Sequence, residues 1–211
     1  MNFALKKINA YCEAHTTKQS EVLYELERET YLKTLAPQML SGHLQGQFLS
    51  FISQMIQPKC ILEIGTFTGY SAIALAKGLA PDGMLHTIEA NEELAHISNK
   101  YIKKAGLSDR ITTYCTDAKV LIKTLDLTFD LVFIDAGKND YELYYDLVFD
   151  KVKSGGYLLA DNVLWSGKVV QATHDKDTQT IDRFNKKIQQ DPRVENVLLP
   201  IRDGLILVRK R

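Results

Sequence analysis

No apolar stretch in this chain approaches the ~20 residues a helix needs to cross a bilayer, and no apolar core with a small-residue cleavage site follows Met-Asn-Phe-Ala-Leu-Lys-Lys at its start. Cysteine is scarce. Cys12, Cys60 and Cys115 are odd in number, widely spaced and outside any CxxC arrangement, which argues against a disulfide framework and a zinc knuckle and reads as reduced, mostly buried thiols. An excess of one charge is also missing: lysine plus arginine equals aspartate plus glutamate at 26 each, so no global basic field argues for nucleic acid. Neither a Gly-x-Ser-x-Gly elbow nor a phosphate loop ending in Gly-Lys-Ser/Thr occurs, which removes the common hydrolase and nucleoside-triphosphatase readings. The five histidines, His15, His43, His86, His96 and His174, show no ligand spacing. A cytoplasmic protein with no membrane partner is the expectation.

What is present reads as an α/β chain. With 211 residues, 45% of them hydrophobic and 25% charged, one domain over residues 1–211 can bury its own core. From Ile61 onward short apolar runs alternate with amphipathic segments, the signature of a doubly wound sheet with helices on both faces. The expected strands are Cys60 to Ile64, Met84 to Ile88, Ile111 to Tyr114, Phe129 to Ile134, Tyr157 to Ala160, Val194 to Leu199 and Leu205 to Val208. Asn91 caps a helix whose apolar face is Leu94, Ile97 and Tyr101, with Gly106 past its end. Ile181, Phe184 and Ile188 mark another, stopped by Pro192. Only Arg202-Asp203-Gly204 is read as separating the last two strands, too short for a crossover helix, so the final strand runs antiparallel. Amphipathic stretches at Glu21 to Lys33 and Leu44 to Ile56, broken at Pro37, make residues 1–58 a helical lid or dimerisation element ahead of a cofactor-binding core at 59–211. The longest flexible loop is expected from Trp165 to about Asp177.

The polar residues that close the apolar runs carry the chemistry. Phe129 to Ile134 ends in Asp135-Ala-Gly-Lys138, and the next strand ends in Asp161-Asn162. Two carboxylates and a carboxamide make a hard, all-oxygen site suited to magnesium or calcium rather than zinc. Adjacent side chains on a strand point to opposite faces, so Asp161 and Asn162 can meet one ion only where the strand has ended and the chain bends. Upstream, Glu63-Ile-Gly65-Thr-Phe-Thr-Gly69 is a strand followed by a glycine turn and a helix start. Its Gly-x-x-x-Gly spacing lacks the pattern tuned to a dinucleotide pyrophosphate. Glu63 would repel a pyrophosphate but suits a cofactor with an ammonium and a sulfonium. Glu89 closes the second strand, where an acid can accept from ribose hydroxyls, and Asp117-Ala118 follows the third, where an adenine can rest.

Glu63-Ile-Gly-Thr-Phe-Thr-Gly-Tyr-Ser71, Phe133-Ile-Asp-Ala-Gly-Lys138, Asp161-Asn-Val-Leu-Trp165 and Asp203-Gly204, in that order, resemble the motifs of the cation-dependent O-methyltransferases related to catechol and caffeoyl-CoA O-methyltransferases. The resemblance extends to Met39-Leu-Ser41 and Gly46-Gln-Phe48 and covers nearly the whole chain. It implies a Rossmann-like class I methyltransferase fold, a seven-stranded, mostly parallel sheet with an antiparallel last strand, and a bacterial-type member of the family. S-adenosyl-L-methionine would lie over Gly65-Thr66 and the Gly69-Tyr70 turn, its methionine end held by Ser41, Glu63 and Ser71, with Glu89 on the ribose, Ala118 near the adenine and Asp135 adjoining it. Asp135, Asp161 and Asn162 would bind a divalent cation, magnesium first and calcium or manganese next, with Asp135 and Lys138 as catalytic residues. Trp165, Ser166 and Asp203 would flank the acceptor. Plant members usually read Asp-Ala-Asp-Lys where this chain has Gly137, so the resemblance does not supply the cofactor contact carried by that acid, and plant substrate preference does not carry over. A homodimer through the N-terminal helices is expected from the family.

Methyl transfer from a sulfonium to oxygen is an in-line displacement, and a phenol with a pKa of about 10 is mostly protonated at neutral pH. A dication stabilises the oxyanion, and two adjacent hydroxyls chelate it. Lys138 then acts as general base or as an orienting charge. The expected activity is O-methylation of a small phenolic molecule with vicinal hydroxyls. One rival keeps the chemistry and makes a hydroxylated tRNA base the acceptor; a basic rim of Lys168, Lys186, Lys187 and Arg193 would favour it. Two others are an NAD-binding oxidoreductase and a non-catalytic cofactor-binding module.

Overall fold

The computed structural model describes residues 3–211, with side chains from residue 7 onward. Seven strands, β1 Cys60–Ile64, β2 Met84–Glu89, β3 Ile111–Cys115, β4 Phe129–Ile134, β5 Val152–Asp161, β6 Val194–Leu199 and β7 Leu205–Lys210, form one sheet in the order β3-β2-β1-β4-β5-β7-β6. The pairings from β3 through to β5 are parallel, and β7 runs antiparallel to both neighbours. Eight helices accompany them: α1 Phe3–Ala14, α2 Glu21–Lys33, α3 Gly42–Ile56, α4 Tyr70–Ala76, α5 Ala95–Lys104, α6 Ala118–Thr124, α7 Tyr141–Phe149 and α8 Lys176–Gln190.

Alternation along the central strands divides the core between the two faces of the sheet. On β4, Leu131 and Phe133 join Ile61, Leu85 and Leu159 in a cluster with Leu26, Leu49, Ile73 and Ile97 of α2 to α5. Val132 and Ile134 join Leu62, Leu158 and Ile206 in a second cluster with Ile122, Tyr145 and Phe184 of α6, α7 and α8. Each such side chain contributes ~1.5–3 kcal/mol when fully buried, so the sheet is fixed from both sides. The N-terminal helices are tied to this body by polar contacts as well: Lys100 and Tyr101 of α5 with Lys33 hold the Glu29 carboxyl down to about 2, and Thr30 bonds Thr68 at 2.9 Å.

Several local expectations are corrected. β5 starts at Val152, not Tyr157, because a register shift against β4 between Phe129 and Leu131 lets the polar Lys153-Ser154-Gly155 segment join the strand. Five residues, Pro200 to Gly204, separate β6 from β7. Asn91 accepts from the Glu93 amide at 3.0 Å, but the turn it caps is 3₁₀, with α5 following from Ala95. The loop expected to Asp177 ends earlier, since Asp175 caps α8 by accepting from the Thr178 amide at 2.8 Å. Cys12 and Cys60 are only half-buried and Cys115 is exposed.

Candidate active site

The sheet order reverses direction between β1 and β4, and in parallel sheets ligands bind at the carboxyl ends of the strands flanking such a reversal. Here the chain leaves β1 at Gly65 (φ 103°), and a side chain there is forbidden: a Cβ would lie 2.0 Å from the Asp135 carbonyl at the end of β4. That close approach lets the ends of β1 and β4 share one wall. A cleft of about 1400 Å³ opens over it, lined by Gly65, Glu89, Ala118, Asp135, Lys138, Asp161, Asn162, Trp165, Ser166 and Asp203 among others. Ser41, Glu63, Thr66, Gly69, Tyr70 and Ser71 are buried outside the lining. Tyr70 turns toward the N-terminal helices, its hydroxyl on Gln19 and its ring against Gly46.

On the β1–β2 side, Glu89 is preset by backbone donors, accepting from the Phe67 amide at 2.8 Å and the Asn91 amide at 2.9 Å. Glu63 is fully buried; Thr87 donates to its Oε2 at 2.5 Å, and Thr66 sits 2.5 Å from Thr87. Burial pushes the Glu63 carboxyl up to about 8, only partly offset by the Ser71 and Thr87 hydroxyls. Its Oε1 has no hydrogen-bond partner among the described residues. An unsatisfied buried carboxyl oxygen costs ~1–3 kcal/mol and marks a place where a polar ligand group fits.

On the β4–β5 side, Lys138 donates to Asp135 Oδ1 at 2.9 Å and to the Tyr141 hydroxyl at 2.7 Å. Tyr141, fully buried on α7, donates in turn to the Asp161 carbonyl at 3.0 Å. Asp161 closes β5, and Asn162 follows in the left-handed region (φ 57°), a bend that asparagine tolerates better than most residues. Burial and the Asp135 carboxylate raise the Asp161 pKa, against hydrogen bonds from Gln45 and the Asn162 amide. The side-chain Nδ2 of Asn162 reaches Asp203 Oδ2 at 3.5 Å, and Asp203 also accepts from the Ser166 backbone N–H. Among the described residues no three His, Cys, Asp or Glu side chains gather in a metal-holding group; the arrangement is two carboxylates and a carboxamide. That oxygen-only donor set, with two carboxylates close enough to repel, fits a hard dication.

A family profile described as O-methyltransferase matches residues 13–211. The chain belongs to the O-methyltransferase family. Caffeoyl-CoA O-methyltransferase from Petroselinum crispum is 35% identical over 92% of the chain and 85% of its own length, and caffeoyl-CoA O-methyltransferase 2 from Eucalyptus globulus is 33% identical over 91% and 90%. Among solved structures, the methyltransferase from Podospora anserina with bound S-adenosylhomocysteine superposes with TM-score 0.90 at 29% identity, covering 100% of this chain and 98% of that one. The O-methyltransferase from Bacillus cereus in complex with the same compound gives 0.89 at 29%, covering 97% of each.

Two polar residues at or behind this cleft were not singled out from the sequence. Gln45 is fully buried and bonds Asp161, and Arg202, in the β6–β7 connection, lines the cleft and bonds Gln45. A signal for Gln45 did exist: it shares the inward face of α3 with Leu49 and Ile52, where a carboxamide needs a partner.

Proposed function

We propose that this O-methyltransferase transfers the methyl group of S-adenosylmethionine to one hydroxyl of a small aromatic molecule with vicinal hydroxyls, using a divalent cation, magnesium in the first place, held by Asp135, Asp161 and Asn162. The observation that carries the reading is that these three residues and Lys138 line the same cleft as the Gly65 turn and Glu89. Donor and acceptor subsites therefore adjoin. S-adenosylhomocysteine in two structural neighbours supports the donor, and the caffeoyl-CoA relatives support a phenolic acceptor.

Glu89, fixed by two backbone amides, is suited to accept from the ribose hydroxyls, and Ala118 offers a small apolar surface for the adenine. The orphaned oxygen of Glu63 fits the cationic methionine end. When bound, the cofactor supplies an electrophilic methyl and the dication supplies charge that favours the phenolate. Lysine carries three N–H donors; Lys138 gives one to Asp135 and one to Tyr141, which leaves a third to hold the acceptor oxygen in line. Asp135 orients Lys138, and Tyr141 joins that lysine to the backbone of Asp161. Trp165, Ser166 and Asp203 form the wall against which an aromatic ring would lie.

The geometry favours a small acceptor over tRNA. None of Lys168, Lys186, Lys187 and Arg193 lines the cleft, and each is paired, with Asp175, Asp182, Asp146 and Asp191 respectively. Membership of the family sets the oxidoreductase reading aside. A second copy of the chain is proposed to cover the exposed Tyr11, Tyr24, Tyr31, Leu32, Phe51 and Met55 of α1 to α3. The deciding assay is transfer of radiolabelled methyl to catechol, caffeoyl-CoA and hypomodified tRNA, with magnesium and with a chelator. Label on a catechol-type acceptor only with the metal supports the proposal; transfer that ignores the chelator, or that occurs only on tRNA, contradicts it.

A further inference from the structure

Gln45 sits near the start of α3, is fully buried, and uses both ends of its carboxamide. Its Nε2 donates to Asp161 Oδ2 at 2.8 Å, across 116 residues of chain, and its Oε1 accepts from Arg202 Nη1 at 3.2 Å. An amide group can be turned over with little change of shape, so its partners decide which way it faces. Arg202 has only donors, which obliges the oxygen of Gln45 to face it and leaves the N–H for Asp161. The guanidinium is itself anchored by a second bond from Nη1, to the Ser41 carbonyl. It has no carboxylate within ion-pair distance among the described residues, so nothing draws it away from these carbonyl acceptors. The other oxygen of Asp161 accepts from the Asn162 amide at 2.7 Å. With one donor on each oxygen, the carboxylate plane is fixed.

We propose that Gln45, oriented by Arg202, is a positioning residue for the cation-holding carboxylate of Asp161. By this route α3 and the β6–β7 connection set the affinity of the cation site without touching the cation. The inference rests on the cation reading above. Hydrogen-bond partners behind a ligating carboxylate raise metal affinity by holding the ligand in its bound orientation before the ion arrives, an effect of ~10–100-fold. Arg202 provides the sharper test, since it is exposed and bonds neither Asp161 nor any other carboxylate. A merely local role would leave the cation site unchanged when it is removed.

The experiment titrates the full chain with Mn²⁺, reading free ion by electron paramagnetic resonance, for the wild type, Gln45→Met and Arg202→Met. S-adenosylhomocysteine affinity and thermal unfolding are measured alongside. Both variants are expected to bind Mn²⁺ about tenfold more weakly or worse, with S-adenosylhomocysteine affinity held within about twofold. Wild-type Mn²⁺ affinity in Arg202→Met overturns the inference, and it does so even if Gln45→Met fails to fold. Equal loss of both ligands overturns it too, since that reports general loosening. A wild type that takes up no Mn²⁺ removes the cation reading itself, and this inference with it.

Discussion

Glu63 is sealed beneath the Gly65 turn, and its proton gives a handle on the proposed donor site. In the folded, ligand-free chain its pKa stands at about 8 against an ordinary 4.5. The stability this protonated carboxyl contributes is complete below pH 4.5 and is lost as pH rises through about 8. Glu63→Gln should therefore flatten the fall of melting temperature across that window, and an unchanged pH profile would refute the assignment. Glu89→Ala is expected to weaken S-adenosylhomocysteine binding chiefly. Asp161→Ala and Asn162→Ala should lower magnesium-dependent kcat/KM by ~100-fold or more, the several kcal/mol a dication contributes, while calorimetry finds cofactor binding retained. Equal loss of both functions in every variant would point to misfolding. That Asp135, Lys138, Asp161 and Asn162 come together in one cleft was legible because each group closes an apolar strand. For Gln45 only the need for a partner was legible, from its place on the apolar face of α3; which partners it takes was not, because they lie 116 and 157 residues away.

At the scale of elements, the turn after β1 decides whether the cleft exists. Gly65→Ala places a methyl group 2.0 Å from the Asp135 carbonyl at φ 103°, so urea denaturation should show a loss of about 3 kcal/mol or more from clash and backbone strain combined. Gly106 has φ 69° but nothing within 4 Å; Gly106→Ala should cost only about 1–2 kcal/mol. Similar losses for the two would mean that the β1–β4 approach is looser than described. The bounds of strands β1, β4 and β6 and of helix α2 were legible to the residue, helped at β1 by Pro58 and Gly65 and at β6 by Pro192 and Pro200 on either side. The early part of β5 was not: Lys153 and Ser154 are exposed and carry no apolar signal. Nor was α7: its buried Tyr141, Tyr144, Tyr145, Val148 and Phe149 keep helical spacing, but Leu143 and Leu147 on the opposite face make the segment read as apolar throughout. The Asp175 cap of α8 was available in the sequence as an Asp-x-x-Thr pattern and marks the true end of the preceding loop.

Across the whole molecule, one cleft gathers the ends of five parallel strands, while α1 to α3 carry the exposed Tyr11, Tyr24, Tyr31 and Phe51 together with Leu32 and Met55. Analytical ultracentrifugation is expected to find a dimer, and Tyr31→Glu with Phe51→Glu to shift it toward monomer; a monomeric wild type would contradict the proposed contact. No helix among the described residues is long and apolar enough to cross a membrane. By the proposed function, Asp135, Asp161 and Asn162 converge on a dication beside the methyl donor. Its most direct test is a crystal grown with S-adenosylhomocysteine and Mn²⁺, measured at the manganese absorption edge. An anomalous peak bounded by those three side chains and adjoining the cofactor sulfur is the expected result; no peak there, or a peak elsewhere in the molecule, would contradict it.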